Sequence, residues 1–400
     1  MTFEIIMISV YLISFIIITF YYSFFYLKIV FYRKNKSTEL EKNNCISKFN
    51  SKIDDFGLSI IICAKNELEN LKQNLPKILS QSKLTTIINE QSITFKYEII
   101  VVNDQSHDGS IHFLEEMEKK YDFLKIVNIN QSINHSEGKK FALTLGIKTA
   151  KYKYLLMTDA DCSPNSNKWS NIMFNCFFSN NNDFDVILGY SPYKKQKGIL
   201  NKLIRFDTFT VAQQYLSYAL SNLTYMGVGR NLAYKKELFF NNKGFASHIH
   251  IPSGDDDLFI QEITANKDIK VGIEFSKDAQ LVSEAKSSWK DWTFQKRRHV
   301  TTSSFYKKKF KILLSIYPLS QICFLVSLIF SIFLKINPTL IYSVLFVKLF
   351  ISYLINYKSM RKLNVRDLYW LHPMFELINL FVQANFVFLN LFRKPRKWSR

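Results

Sequence analysis

The stretch LLMTDADCSP, residues 155–164, is an apolar run that ends in two aspartates with only Ala160 between them. Residues i and i+2 of an extended strand point to the same side, so the spacing predicts that Asp159 and Asp161 face one point. A hard divalent cation relieves their repulsion, taking one or two carboxylates and completing its shell with water and phosphate oxygens. Asp-rich loops after strands are common, so the pair alone reads equally well as a solvated turn.

The neighbouring sequence decides between these readings. LSIIICA (58–64), YEIIVVN (97–103) and KYLLMTD (153–159) are short, branched apolar runs separated by amphipathic segments. Strands alternating with helices imply parallel pairing, with ligand groups at the carboxyl ends of the strands. The chemistry is therefore expected at Lys65–Glu67, Asp104–Ser110 and Asp159–Asp161. NDQSHDGS (103–110) offers Asp104 as a hydrogen-bond acceptor for a base or ribose. EGKKFALTLGI (137–147) brings Lys139 and Lys140 to the start of a helix, suited to a phosphate or to a carboxylate partner.

Composition sets the outer bounds. The chain has 400 residues, 48% hydrophobic and 16% aromatic, with 11 Gly and 8 Pro, which excludes a disordered or low-complexity chain. Lys and Arg outnumber Asp and Glu by 53 to 33, and the excess sits beside apolar segments, favouring a membrane surface over nucleic acid. Five scattered cysteines without a CxxC pair indicate neither a disulfide framework nor a zinc site. His248 and His250 lack further ligands at metal spacing and read as a loop.

Residues 1–32 read as an amino-terminal transmembrane helix, because Ile5 to Phe31 is almost uninterruptedly apolar. Glu4 before it and Arg33, Lys34 and Lys36 after it predict a cytoplasmic domain beyond it, by the positive-inside rule. A polar linker (33–56) leads to a catalytic domain (57–300), with an interfacial helix near 287–311. A carboxyl-terminal membrane region (312–400) carries spans at about 312–334 and 339–356. Its third apolar stretch, 371–392, contains Glu376, Asn379, Gln383, Asn385 and Asn390, which favours an interfacial or re-entrant helix and keeps the basic tail RKPRKWSR inside.

Four ordered stretches, IIICAKNELENL, VVNDQSHDGS, LLMTDADC and SGDDDLFIQEI, resemble the membrane-bound branch of the family 2 glycosyltransferases over residues 57–300. The resemblance implies a GT-A fold, an α/β Rossmann-like domain with a mostly parallel sheet, here flanked by transmembrane helices. It further implies inverting transfer of a sugar from a nucleoside-diphosphate sugar, with a lean to UDP, to a lipid or glycan hydroxyl, assisted by Mg2+ or Mn2+. Residue by residue, it implies Ala64 and Glu67 at the nucleotide and Asp104 at the uracil or ribose, with Asn103 where the family commonly has an acid. Lys139 joins the donor side. Asp159 and Asp161 match the DxD motif, with Asp161 as metal ligand and Asp159 at the metal or nearer the ribose or sugar. YMGVGRNLAYKKE (225–237) resembles the acceptor-bordering stretch and implicates Gly229 and Asn231. SGDDDLF resembles the motif carrying the general base: alignment on Leu258 selects Asp255, and alignment on the acidic pair selects Asp256. QKRRH (295–299) resembles QxxRW, with Gln295 beside the acceptor, Arg298 facing the diphosphate, and His299 in the tryptophan position. Asn103 and His299 leave the alternative of a catalytically degenerate nucleotide-sugar-binding membrane protein; a processive polysaccharide synthase is a second alternative, against which His299 counts because a histidine stacks weakly in the tryptophan position.

Overall fold

The computed structural model describes residues 2–33, 55–88, 91–129, 138–179, 183–251 and 253–392. Most of the 33–56 linker, Lys34 and Lys36, Cys45, Glu137 and the basic tail lie outside the described residues.

The three expected strands form the centre of an eight-stranded sheet. β1 (Gly57–Ala64) lies between β3 (Gln91–Asp104) and β5 (Tyr154–Asp159), parallel to both. All eight residues of β1 are buried, and alternate ones serve opposite cores: Leu58, Ile60 and Ile62 on one face, Ile61 and Cys63 on the other. Each isoleucine contributes about 1.5–3 kcal/mol through burial. Cys63 pairs across from Asp159 and Ala64 from Asn103, so the three strands end level and their polar loops emerge side by side.

The sheet is less parallel than the alternation of strands and helices suggests. β2 (Leu84–Ile88) forms an antiparallel hairpin with the first half of β3, while β4 (Leu124–Ile129) pairs in parallel with the second half. Beyond β5 comes β8 (Leu232–Lys235), antiparallel to both β5 and β7 (Val186–Gly189), and β9 (Val271–Glu274) closes the edge parallel to β7. A two-stranded ribbon of β6 (Cys162–Pro164) and β10 (Leu281–Ser283) sits apart. Helices Leu68–Leu79 and Trp169–Cys176 cover one face of the sheet, and Lys139–Thr149 and Ile199–Ala219 cover the other.

Among the described residues, three helices are long and apolar enough to cross a membrane: Phe3–Phe31, Lys308–Phe333 and Pro338–Lys362. The first contains a π-helical turn, Tyr21–Tyr26, which turns Tyr21, Tyr22, Phe25 and Tyr26 inward. Helix His372–Phe392 is not among the three. Most of its polar residues face protein: Glu376 accepts from Tyr22, Gln321 and Lys348, Asn379 donates to Thr210, Gln383 donates to Asp207, and Asn390 exchanges hydrogen bonds with Arg297, while Asn385 is exposed. Helix Trp289–Ser303, capped by Ser288 at Asp291 N, packs against it through Trp292 on Phe386. The helix that carries QKRRH, expected near 287–311, spans Trp289–Ser303, and the next begins at Lys308.

Candidate active site

The loops after β1 and β3 are laced together. Asn66 donates its amide N–H to Ser106 Oγ (2.9 Å) and accepts from His107 N–H (2.8 Å); Asp108 accepts from Leu68 N–H (2.9 Å) and from Ser110. Asn66 and Gln105 hold left-handed backbone conformations that asparagine tolerates and Gly109 favours outright. Asp104 is buried at the end of β3 with Lys65 Nζ 3.6 Å away, and Asn103 Nδ2 donates to Asn128 Oδ1. Ala64 is fully buried at the end of β1. Glu67 is half-buried in the same loop, donated to by Asn70.

β5 ends at Asp159, and Ala160–Asp161 form a turn into β6. The expected extension of strand geometry through Asp161 is therefore corrected: the two carboxylates are near neighbours across a turn. Asp159 Oδ1 accepts from Lys139 Nζ at 2.9 Å, whereas Asp161 Oδ1 accepts from Cys162 Sγ at 3.3 Å. Burial and then the Asp159 charge raise the Asp161 carboxyl above its ordinary range. Glu67 is raised too, by burial and then by Asp161 and Asp159.

Lys139, at the first turn of its helix, bridges two chain segments: its ammonium lies 2.9 Å from Asp159 and 3.0 Å from Asp255. Burial works against its charge, but Asp159, Asp255 and Asp256 outweigh it and hold the lysine well above its usual range. Lys140 points away, donating to the carbonyls of His248 and Ile251. Gly229 closes the floor. A Cβ there would stand 3.3 Å from Lys139 Nζ, 3.4 Å from Asp256 Oδ2 and 3.6 Å from Asp255 Oδ2.

The three adjacent aspartates have three different environments. Asp255 faces Lys139; burial pushes its carboxyl up, and the lysine more than reverses this. Asp256 accepts from Gly229 N–H and Asp257 N–H, both at 2.8 Å, and is pushed up to about 7 by burial and then by Asp255 and Asp257. Asp257 is buried and accepts from Thr302 (2.6 Å), Tyr306 (2.7 Å) and Leu258 N–H (2.7 Å), which ties the acidic loop to the end of helix Trp289–Ser303. From that helix, Gln295 Nε2 donates to Tyr193 Oη at 3.4 Å, and Arg298 lies within electrostatic reach of Asp255, Asp159 and Asp256. Lys296 and Arg297 take the opposite direction, to Asp207 (2.6 Å) and Asn390. His299 is exposed.

One expected residue does not belong to the site. Asn231 is completely buried: its Nδ2 donates to the carbonyls of Tyr190 (3.0 Å) and Ala279 (2.9 Å), and its Oδ1 accepts from Trp169 Nε1 (3.0 Å). Burial closes the side chain to an acceptor sugar, and it instead joins the turn before β8 to helix Trp169–Cys176. Conversely, sequence reasoning passed over Arg230, between Gly229 and Asn231. Its guanidinium donates to Ser283 Oγ (2.8 Å), stacks over Tyr193 (4.5 Å) and acts electrostatically on Asp161. Its type and its place in GVGRN were the available signal.

Among the described residues, no three His, Cys, Asp or Glu side chains converge closely enough to hold a metal alone. The charge balance still fits a hard dication at Asp161: its carboxylate lies beside Asp159 and Glu67, each crowding the others, and a diphosphate and water would supply further oxygens.

Comparison with known proteins agrees with this arrangement. Residues 59–240 match the profile of Glycosyl transferase family 2. A poly(ribitol-phosphate) beta-glucosyltransferase of Bacillus spizizenii is 29% identical over 179 residues, 44% of this chain and 26% of that protein. A poly-beta-1,6-N-acetyl-D-glucosamine synthase of Staphylococcus epidermidis is 32% identical over 105 residues, 26% of this chain and 22% of that protein. The matches thus span about a quarter of these relatives' lengths. The mannosyltransferase PcManGT of Pyrobaculum calidifontis, solved with GDP-Man and Mn2+, shares the fold: 15% identity, TM-score 0.55, 95% of this chain and 97% of that one. The fold is accordingly GT-A, and the chain carries a glycosyl transferase family 2 domain at residues 59–240.

Proposed function

We propose that the protein is a membrane-anchored, inverting glycosyltransferase that moves a sugar from a nucleoside-diphosphate sugar, with UDP the favoured nucleotide, to a lipid or glycan hydroxyl. One observation carries the reading: Asp159, Lys139, Gly229 and Asp255–Asp256, from four separate segments, meet at the carboxyl edge of the sheet, with Asp161 within electrostatic reach of Asp159. Glu67, Asp104 and the backbone at Ala64 line the neighbouring loops, where the nucleotide would lie. Asp161 would hold Mg2+ or Mn2+, with Asp159 beside it; a bound ion supplies charge neutralisation to the diphosphate leaving group. Arg298 adds positive charge near that group.

The base is assigned to the Asp255–Asp256 pair. Asp255 is held ionised by Lys139 and so remains a carboxylate at neutral pH. Asp256, shifted to about 7, is the stronger proton acceptor once ionised. Gln295 and Gly229 border the acceptor side. The three long apolar helices support a multi-pass membrane location, and the charge flanking the first favours a cytoplasmic catalytic domain. Helices Trp289–Ser303 and His372–Phe392 form an interfacial platform: Trp289, Phe381, Phe388 and Phe392 are exposed, while Arg297, Gln383 and Asn390 bind protein.

The test is a donor screen with isolated membranes, reading nucleoside-diphosphate release and labelled sugar in the lipid and glycan fractions. Asp161→Asn is expected to abolish release while the protein stays folded. Turnover like that of the parent in this variant contradicts the metal assignment, and donor binding without product from any acceptor favours the degenerate binding protein.

A further inference from the structure

A nucleoside diphosphate brings at least two negative charges into a mouth already lined by Glu67, Asp159 and Asp161. Two nearby lysines are already engaged by carboxylates, Lys139 by Asp159 and Asp255 and Lys65 by Asp104, while Arg298 approaches from the Asp255–Asp256 side. Arg230 is placed differently. Its backbone is clamped on both sides, by Gly229 N–H on Asp256 and by the three buried hydrogen bonds of Asn231. The guanidinium is fixed by stacking 4.5 Å from the ring centroid of Tyr193, and the one hydrogen bond it makes goes to a neutral hydroxyl, Ser283 Oγ. Among the described residues no carboxylate pairs with it at ion-pair distance, although the charges of Asp161 and Asp159 act on it. A guanidinium has five N–H donors in a planar fork that matches phosphate oxygens.

We propose that Arg230, held on the ring of Tyr193, binds the diphosphate of the donor on the Asp161 side of the site. This rests on the reading of the site as a nucleoside-diphosphate-sugar site. Tyr193 then has two tasks, since its hydroxyl also receives Gln295 from helix Trp289–Ser303. It fixes the plane of Arg230 and connects that plane to the helix bearing Arg298. Aromatic stacking and a bond to Ser283 alone would be served by a neutral side chain; the charge is what the diphosphate requires.

The test uses the purified full-length protein in detergent and isothermal titration with UDP, GDP, uridine and guanosine, in EDTA and in Mg2+. Arg230→Gln keeps a donor for Ser283 and removes the charge. It is expected to weaken the nucleoside diphosphate that binds the parent about ten- to a hundredfold, leaving the free nucleoside unchanged and flattening the salt dependence. Arg230→Lys restores the charge but not the fork and should recover part of the affinity. Equal loss for nucleoside and diphosphate, or no loss in Arg230→Gln, overturns the assignment. A parent protein that binds neither diphosphate removes the donor reading itself, and the role of Arg230 with it.

Discussion

Replacing Asn231 by alanine separates a structural role from an acceptor-binding one. The amide is wholly buried and satisfies three groups at once, Trp169 Nε1 and the carbonyls of Tyr190 and Ala279. Alanine strands all three in a region closed to water. At about 1–2 kcal/mol for each stranded group, the loss is about 3–6 kcal/mol. At about 2–4 °C per kcal/mol, the transition should fall by about 6–24 °C. Gly189 is the residue that admits this amide, since a Cβ there would stand 2.4 Å from Asn231 Cγ. Tryptophan fluorescence during heating in detergent is the assay. Below its lowered transition, the variant should retain the parent's dependence on acceptor concentration. An unchanged transition with a raised acceptor KM refutes the argument and returns Asn231 to the acceptor side.

Further outcomes follow from the same contacts. Asp256 has a folded-state pKa raised to about 7 from an ordinary 3.8, so its contribution to stability is greatest at low pH and is lost as pH rises towards and through 7. Asp256→Asn, which removes this titration, should therefore gain stability relative to the parent between pH 5 and pH 8, read from thermal midpoints across pH. Lys139→Met leaves Asp159 and Asp255 facing each other without a cation; a loss of about 3 kcal/mol is expected, with sugar transfer reduced far more than the folded fraction. Glu376→Leu strands Lys348 and frees Tyr22 and Gln321. It should raise amide exchange across residues 372–392, with little change in β1 and β5.

Much of this arrangement was legible in the sequence because strands announce themselves. The branched runs before Lys65, Asp104 and Ala160 end level in the structure, and the loops that follow them form one edge. The second half of the sheet was not legible. β7, β8 and β9 have only four residues each, too short for periodicity to separate them from loops, and β8 enters antiparallel. The mutual geometry of Asp159 and Asp161 also escaped sequence reasoning, since nothing in TDADC tells where the strand yields to a turn. Asn231 and Arg230 show the same limit from two sides. Adjacent polar residues in one glycine-containing motif take opposite directions, one into the core and one towards the acidic loop, and only tertiary packing separates them. Of the polar residues in His372–Phe392, read as weakening a bilayer helix, Glu376, Asn379, Gln383 and Asn390 are bonded to the catalytic domain and the spans.

The central claim is that the carboxylates gathered at the sheet edge serve donor chemistry. Its most direct measurement is transfer of labelled sugar from a nucleotide donor by membranes containing the parent protein, Asp161→Asn, or the double variant Asp255→Asn/Asp256→Asn, at matched folded amounts. The account predicts labelled product and free nucleoside diphosphate with the parent, and neither above background with the two variants. Undiminished transfer in both variants contradicts it.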